Sequence, residues 1–280
     1  MLKTLSFILG HPLNKGHPLS TLARYASWQV RSRLQDEIVA DWIEGTKIAA
    51  RNGMTGATGN IYCGLHEFAD MAFVLHALGP DDLFVDVGAN IGSYSILASG
   101  VVGAQSIAIE PDPGTAKSLA RNIEVNALAD KVEIVQSAVG AEEGEIAFTT
   151  GKDTMNRIAT GADKHRQVVP LSKLDSILEG KDPVVIKMDV EGFEREALRG
   201  ARETLKNPSL VAIQLETVDN ESRAWIEGAG FQKFSYDPLT RTLHKAASID
   251  MFNQLYVRGA QELAERLQTA PKRRVGRSMI

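Results

Sequence analysis

The chain has 280 residues, a formal net charge of −4, 44% hydrophobic and 24% charged residues. That is an ordinary globular composition, enough for one large domain or one domain with an extension, and it lacks the basic excess of a nucleic-acid-binding surface. A single cysteine, Cys63, excludes a disulfide within the chain, argues against a cysteine-built metal site and fits a reducing cytoplasm.

No apolar run approaches the roughly 18 residues of a membrane span. The opening MLKTLSFILGHPLNKG carries an apolar patch at Leu5–Leu9. It is shorter than a signal-peptide core of about 7–15 residues, and no small-residue cleavage site follows. It reads as a segment packed on the body of the protein, with a membrane-surface contact as the alternative. Residues 1–60 form a helical extension, with a lid over the site or a dimer contact as its expected use. Leu22, Tyr25, Ala26, Val30, Leu34, Ile38, Trp42 and Ile43 largely follow helical spacing, which predicts one or two amphipathic helices over 20–50. The three glycines of RNGMTGATGN predict a loop at 51–60. A helix over 66–78 places Phe68, Met71, Ala72, Leu75 and Leu78 on one face, and GPDD ends it.

From there short apolar runs alternate with helical patterns through the domain expected at 61–260. LFVDVG (83–88), SIAIE (106–110), VEIVQSAVG (132–140), VVIKMDVEG (184–192) and LVAIQLE (210–216) read as buried strands. Helices are expected from 92, from Pro113, through FEREALRGARETL and through Trp225 and Ile226. EEGEIAFTT (142–150) reads as a small antiparallel addition. Residues 231–246 read as a hairpin and FNQLYVRG as a final strand, followed by a basic tail at 261–280 whose end, APKRRVGRSMI, is expected to fray. This alternation predicts a parallel sheet covered on both faces, with an antiparallel edge.

In such sheets ligands sit beyond the carboxyl ends of the strands, at the switch in strand order. The residues predicted there are Asp86 to Gly92, Glu110 to Asp112, Ser137 to Gly140, Asp189 to Gly192, and Glu216. Glu110 lies 22 residues after Gly88, where a carboxylate accepts hydrogen bonds from both hydroxyls of a ribose. The first turn reads D-x-G-x-x-x-G through Asp86, Gly88 and Gly92. A dinucleotide fingerprint counted from Gly88 needs glycines at 90 and 93, where Asn90 and Ser93 stand. Asn90 would intrude on a pyrophosphate, and Asp86 adds an acid before the turn. A ligand with an ammonium and a carboxylate but no phosphate suits the turn better, and S-adenosylmethionine has such an end.

Taken in order, DVGANIGSYS, IEPDP, SAVG and KMDVEGFE resemble the FkbM family of S-adenosylmethionine-dependent methyltransferases, over roughly 60–220, with NIYCGLHEFADMAF as a similar lead-in. The resemblance implies the class I methyltransferase fold: a Rossmann-like three-layer α/β sandwich, with a mostly parallel seven-stranded sheet and an antiparallel carboxyl-terminal edge. It implies that Asp86, Gly88, Asn90 and Gly92 form the first cofactor motif. Glu110, followed by Pro111, binds the ribose, Ser137, Ala138 and Val139 border the adenine, and Asp189, Val190, Glu191 and Gly192 lie near the methyl donor. It further implies methyl transfer to a hydroxyl of a small molecule, often a sugar or natural product.

Such a transfer needs acceptor oxygen, methyl carbon and sulfur in line, and a base for the alcohol. Asp189 is the first candidate for base or acceptor orienter, Glu191 the second and His66 the third, with Glu67 reaching the cofactor pocket. Asp189, Glu191 and Glu216 could gather round a magnesium ion, although nothing in their spacing requires a metal. Alternatives are N-methylation, disfavoured because DVEG stands where an N-P-P-Y-like segment would, a non-catalytic binding module, and, least favoured, an NAD-dependent oxidoreductase. Substrate identity is expected to reside in the first 50 residues and in GKDTMNRIATGADKHRQ (151–167).

Overall fold

A computed structural model describes residues 2–149, 157–159, 163, 165–245, 249 and 251–280. Most of the 151–167 stretch expected to encode the acceptor therefore lies outside the described residues. The amino-terminal part comprises helices α1 (Leu2–Gly10) and α2 (Pro18–Leu34), a hairpin of β1 (Ile38–Asp41) and β2 (Lys47–Ala50), and helix α3 (Thr55–Cys63). Helix α4 (Phe68–Ala77), buried from Ala69 to its end, leads into the sheet.

The alternating region follows: β3 (Leu83–Val87), α5 (Ser93–Ile96) continued by a π-helical turn, β4 (Gln105–Ile109), α6 (Pro113–Val125), β5 (Val132–Val135), β6 (Ala138–Val139), β7 (Gly144–Thr149), β8 (Arg166–Ser172), α7 (Leu174–Ile177), β9 (Pro183–Met188), α8 (Glu194–Arg199), β10 (Ala212–Leu215) and α9 (Asn220–Gly228). Then come β11 (Gln232–Asp237), β12 (Thr242–His244), β13 (Gln254–Val257), α10 (Ala260–Thr269) and a small hairpin, β14 (Arg274–Val275) with β15 (Ser278–Met279).

The main sheet has eight strands in the order β12-β11-β13-β10-β9-β3-β4-β5. Strands β5, β4, β3, β9 and β10 are parallel, and β13, β11 and β12 are antiparallel to their neighbours. The predicted parallel sheet with an antiparallel edge is thus present, and the short β12 makes an eighth strand. Successive residues of a strand serve opposite faces. Phe84, Val185, Ala212 and Leu255 enter a core shared with α4, α5 and α10, whereas Val85, Ile186, Ile213 and Tyr256 enter a second core shared with α7, α8 and α9. Chain order reverses between β3 and β9, so the crevice of the fold lies above these two strands.

Four expectations are corrected. The helical reading of 20–50 fails beyond Leu34: Ile38 pairs with Ala50 across a hairpin whose turn holds Glu44 and Gly45 at positive φ. Asn122 and Asn126 of α6 bond the backbone of Ala49 and Lys47, occupying part of the β2 edge. Within α2, moreover, the buried residues are Thr21, Trp28 and Ser32, not the apolar stripe. The predicted loop at 51–60 is mostly α3, because its Gly59 serves packing: a Cβ there would lie 2.5 Å from the His66 ring. VEIVQSAVG divides at Gln136 and Ser137, with Ala138 and Val139 pairing with β8 in a separate three-stranded sheet whose antiparallel β7 is the predicted addition. The tail does not fray: Leu263, Leu267, Val275 and Ile280 are buried in the first core, and Arg273 pairs with Glu44 at 2.8 Å.

Candidate functional site

A cavity of about 340 Å³ lies at the carboxyl ends of β3, β4, β9 and β10. It draws Gly88, Asn90 and Ile91 from the turn after β3, Glu110 and Pro111 from β4, Asp189 to Glu191 from β9, and Glu216 from β10. Gly88 has φ +78°, and a Cβ on it would meet the Asp189 carbonyl oxygen at 1.9 Å. Glycine is therefore what lets the β3 and β9 turns touch. Gly92, at φ +86°, starts α5 behind the cavity wall and does not line it.

Glu110 is almost fully buried. Its Oε2 accepts from the Asn90 backbone N–H and its Oε1 from that of Asp112, each at 2.9 Å. Burial still pushes its carboxyl up to about 7 against these two donors. Each oxygen keeps a second lone pair for a hydroxyl donor. Asn90 is in the left-handed region, φ 53°, and its side-chain Oδ1 is buried with no partner among the described residues. An unpaired acceptor in a cavity wall suits an N–H or ammonium donor.

Asp86 does not line the cavity. It lies beneath the floor as the Cα partner of Lys187, which in turn partners Gln214 on β10, so three buried polar residues cross the sheet in one row. Asp86 Oδ2 accepts from the Ser95 hydroxyl at 2.8 Å, and its carboxyl is pushed up by burial, opposed by Lys187. Lys187 Nζ donates to Asp189 Oδ2 at 3.1 Å and lies 4.8 Å from the Tyr94 ring centroid. Burial lowers the pKa of that ammonium, but Asp189, Asp86 and Glu67 together hold it above the usual lysine range. Asp189 is thus the partner of Lys187.

Carboxylate oxygens of Asp189, Glu191 and Glu216 lie within 4.8 Å of one another, close enough to share a divalent cation. Glu216 is pushed up to about 7 by burial and then by Asp189, Glu191 and Glu194, and Glu191, at φ 50°, is raised by burial and Asp189. Glu194, whose oxygens accept from Val190 N, Gly192 N and the Thr217 hydroxyl, holds the 189–192 turn in place.

The turn between α3 and α4 brings His66 and Glu67 to the wall. His66 is lowered by burial, and its Nδ1 is buried without a partner among the described residues. Glu67 accepts the Tyr94 hydroxyl. The far wall is apolar, formed by Ala138, Val139, Phe148 and Ile158, with Ser137 beside them. Of the residues expected at the site, His66, Glu67, Gly88, Asn90, Glu110, Pro111, Ser137, Ala138, Val139, Asp189 and Glu191 line the cavity, whereas Asp86 and Gly92 support it from behind.

Tyr94, Asn60, Phe148, Phe252 and Asn253 line the cavity but were not singled out from the sequence. The available signal was weak: Tyr94 follows the first turn within DVGANIGSYS, and Asp70, on the helix after His66, accepts the backbone N–H groups of Phe252 and Asn253.

The family model described as "Methyltransferase FkbM domain" matches residues 86–241. The hexuronic acid methyltransferase AglP of Haloferax volcanii is 27% identical over 138 residues, 48% of this chain and 56% of that protein, so the match spans little more than half its length. The methyltransferase sdnD of Sordaria araneosa is 27% identical over 206 residues, covering 59% of this chain and 79% of that one. Among solved structures, an rRNA methylase from Streptococcus thermophilus is 12% identical with a TM-score of 0.40, covering 67% of this chain and 91% of that one.

Proposed function

This chain belongs to the FkbM family of S-adenosylmethionine-dependent methyltransferases, and on that footing we propose that it methylates a hydroxyl of a small acceptor, a saccharide being the leading class. The observation that carries the cofactor assignment is the division of the cavity. Its lining combines Glu110, with two free lone pairs, the apolar side chains of Val139, Phe148 and Ile158, and the unpaired Asn90 Oδ1. These features fit a ribose, a purine and an ammonium in that order. The saccharide assignment draws support from the hexuronic acid named for the relative from Haloferax volcanii.

When bound, S-adenosylmethionine supplies a methyl group already activated on sulfonium sulfur. The protein's part is to orient the acceptor and remove its proton. Asp189, held at Oδ2 by the Lys187 ammonium, orients the acceptor hydroxyl through its carboxylate. Glu216 receives the proton, since its carboxyl, pushed up to about 7, is matched to neutral pH. Glu191 is the alternative base, and His66 closes the wall opposite.

Calorimetric titration with S-adenosylhomocysteine, with NAD as control, tests the cofactor half directly. The expected result is micromolar binding of the first alone. Binding of NAD, or of neither compound, overturns the assignment. A screen of neutral and acidic saccharides with labelled methyl donor tests the acceptor half.

A further inference from the structure

We propose that the outer face of α2 is a docking surface for an anionic lipid bilayer, which this protein binds peripherally. The helix is apolar on the wrong side for a helix packed only on its own domain. Thr21, Trp28 and Ser32 face inward, 3.6-residue periodicity sets the opposite stripe at Leu19, Leu22, Ala26, Val30 and Leu34, and all five are exposed. Leu19 is 83% exposed, Val30 59% and Leu34 79%, with Leu22 at 40%. Phe7 and Leu9 of α1, which packs on α2, are exposed as well.

Charge identifies the occupant. Residues 1–35 hold five lysines and arginines and no aspartate or glutamate. The net charge of −4 therefore combines +5 in this segment with −9 beyond it. Lys15, Arg31 and Arg33 are exposed and form no ion pair among the described residues, whereas Arg24 is turned inward to Asn14 and the Tyr62 carbonyl. An exposed apolar stripe flanked by basic side chains outside any ion pair is the pattern of a helix lying in a bilayer interface, and basic residues there are drawn to anionic headgroups. A second copy fits poorly. Packing α2 parallel to its own twin sets Arg31 and Arg33 against their own copies, with no acid inside the helix to relieve them.

Among the described residues no helix is long and apolar enough to cross a membrane, so the contact is one of surface. It reaches the site through α1: the Phe7 ring is 5.1 Å from that of His66, which lines the cavity.

Flotation of the full chain with vesicles is the test. The protein is expected to rise with phosphatidylcholine–phosphatidylglycerol vesicles, to stay behind with phosphatidylcholine alone, and to be released by added salt. Replacing Arg31→Glu together with Arg33→Glu should lower the vesicle partition coefficient about 25-fold or more, at roughly fivefold per basic residue. Val30→Gln with Leu34→Gln should lower it at every salt concentration while leaving the melting temperature and S-adenosylhomocysteine affinity unchanged. Absence of flotation with anionic vesicles, or equal flotation of the charge variant, overturns the proposal. A concentration-dependent dimer abolished by the leucine and valine changes, without vesicle binding, also overturns it and assigns the face to a second copy.

Discussion

Glu110 is held in a poised state by opposing influences. Burial pushes its carboxyl up to about 7, while the Asn90 and Asp112 amides pull it down. Hydroxyl donors from a ribose add to the second influence, so ligand binding selects the ionised form. Affinity for S-adenosylhomocysteine should therefore increase as pH rises toward and through about 7, and below that pH binding should release a proton. Calorimetry in buffers of different ionisation enthalpy reads that release, and proton uptake would contradict the ribose role. Glu110→Gln should weaken binding roughly tenfold to a hundredfold, the effect of about 1.5–3 kcal/mol for hydrogen bonds to a charged group. Asp189 and Glu216 separate by a different readout. Asp189→Asn should lower kcat about a hundredfold with little change in cofactor affinity, because orientation of the acceptor is lost. Glu216→Gln should remove the ascending limb of the kcat pH profile near about 7, where its carboxyl titrates. Equal loss of cofactor affinity in the Asp189 variant would place that residue among the cofactor's ligands instead.

At the level of elements, the legible parts of the sequence were those where local chemistry and tertiary role agree. The runs ending at Asp86–Gly88, Ile109–Glu110 and Met188–Asp189 are apolar because both faces are buried, and each ends where the chain must turn to the crevice. These same ends carry the cavity, so fold and much of the site were read together. The failures share one cause, a residue type serving a distant partner. Gly59 looks like a loop signal but makes room for His66. Ile38 fits a helical count yet pairs with Ala50 across a hairpin and enters the core of Trp28 and Ile8. Ala138 and Val139 continue an apolar run but pair with β8, some 30 residues on, which no local pattern announces. Lys187 carries no local sign of its role, because the two acids that justify a buried ammonium lie on another strand and in the turn beyond it.

Across the whole molecule the cavity is closed by parts of the chain far apart in sequence. Asp70, fully buried in α4, accepts from the backbone N–H groups of Phe252 at 2.9 Å and Asn253 at 3.0 Å, 182 and 183 residues away. That bond pair holds the segment before β13 against the cavity mouth, and the docked carboxyl-terminal hairpin ties to Glu44 behind it. Burial, then the nearby Glu67, pushes the Asp70 carboxyl from 3.8 up to about 7. A folded pKa above the unfolded one means the folded state prefers the protonated acid. The associated stability is fully present below about pH 4 and is lost as pH rises through about 7. Asparagine cannot titrate, so Asp70→Asn isolates this effect from every other ionisable group. At pH ~5 the variant should be less stable by about 1–3 kcal/mol, because its amide cannot accept from both backbone donors. Between pH ~5 and ~8 the difference should shift in the variant's favour, by on the order of 1 kcal/mol for each unit of pKa displacement expressed. Urea denaturation of both proteins across that range measures the shift. A difference that stays constant with pH would mean that Asp70 is already ionised throughout and acts on the 252–253 segment as a carboxylate alone.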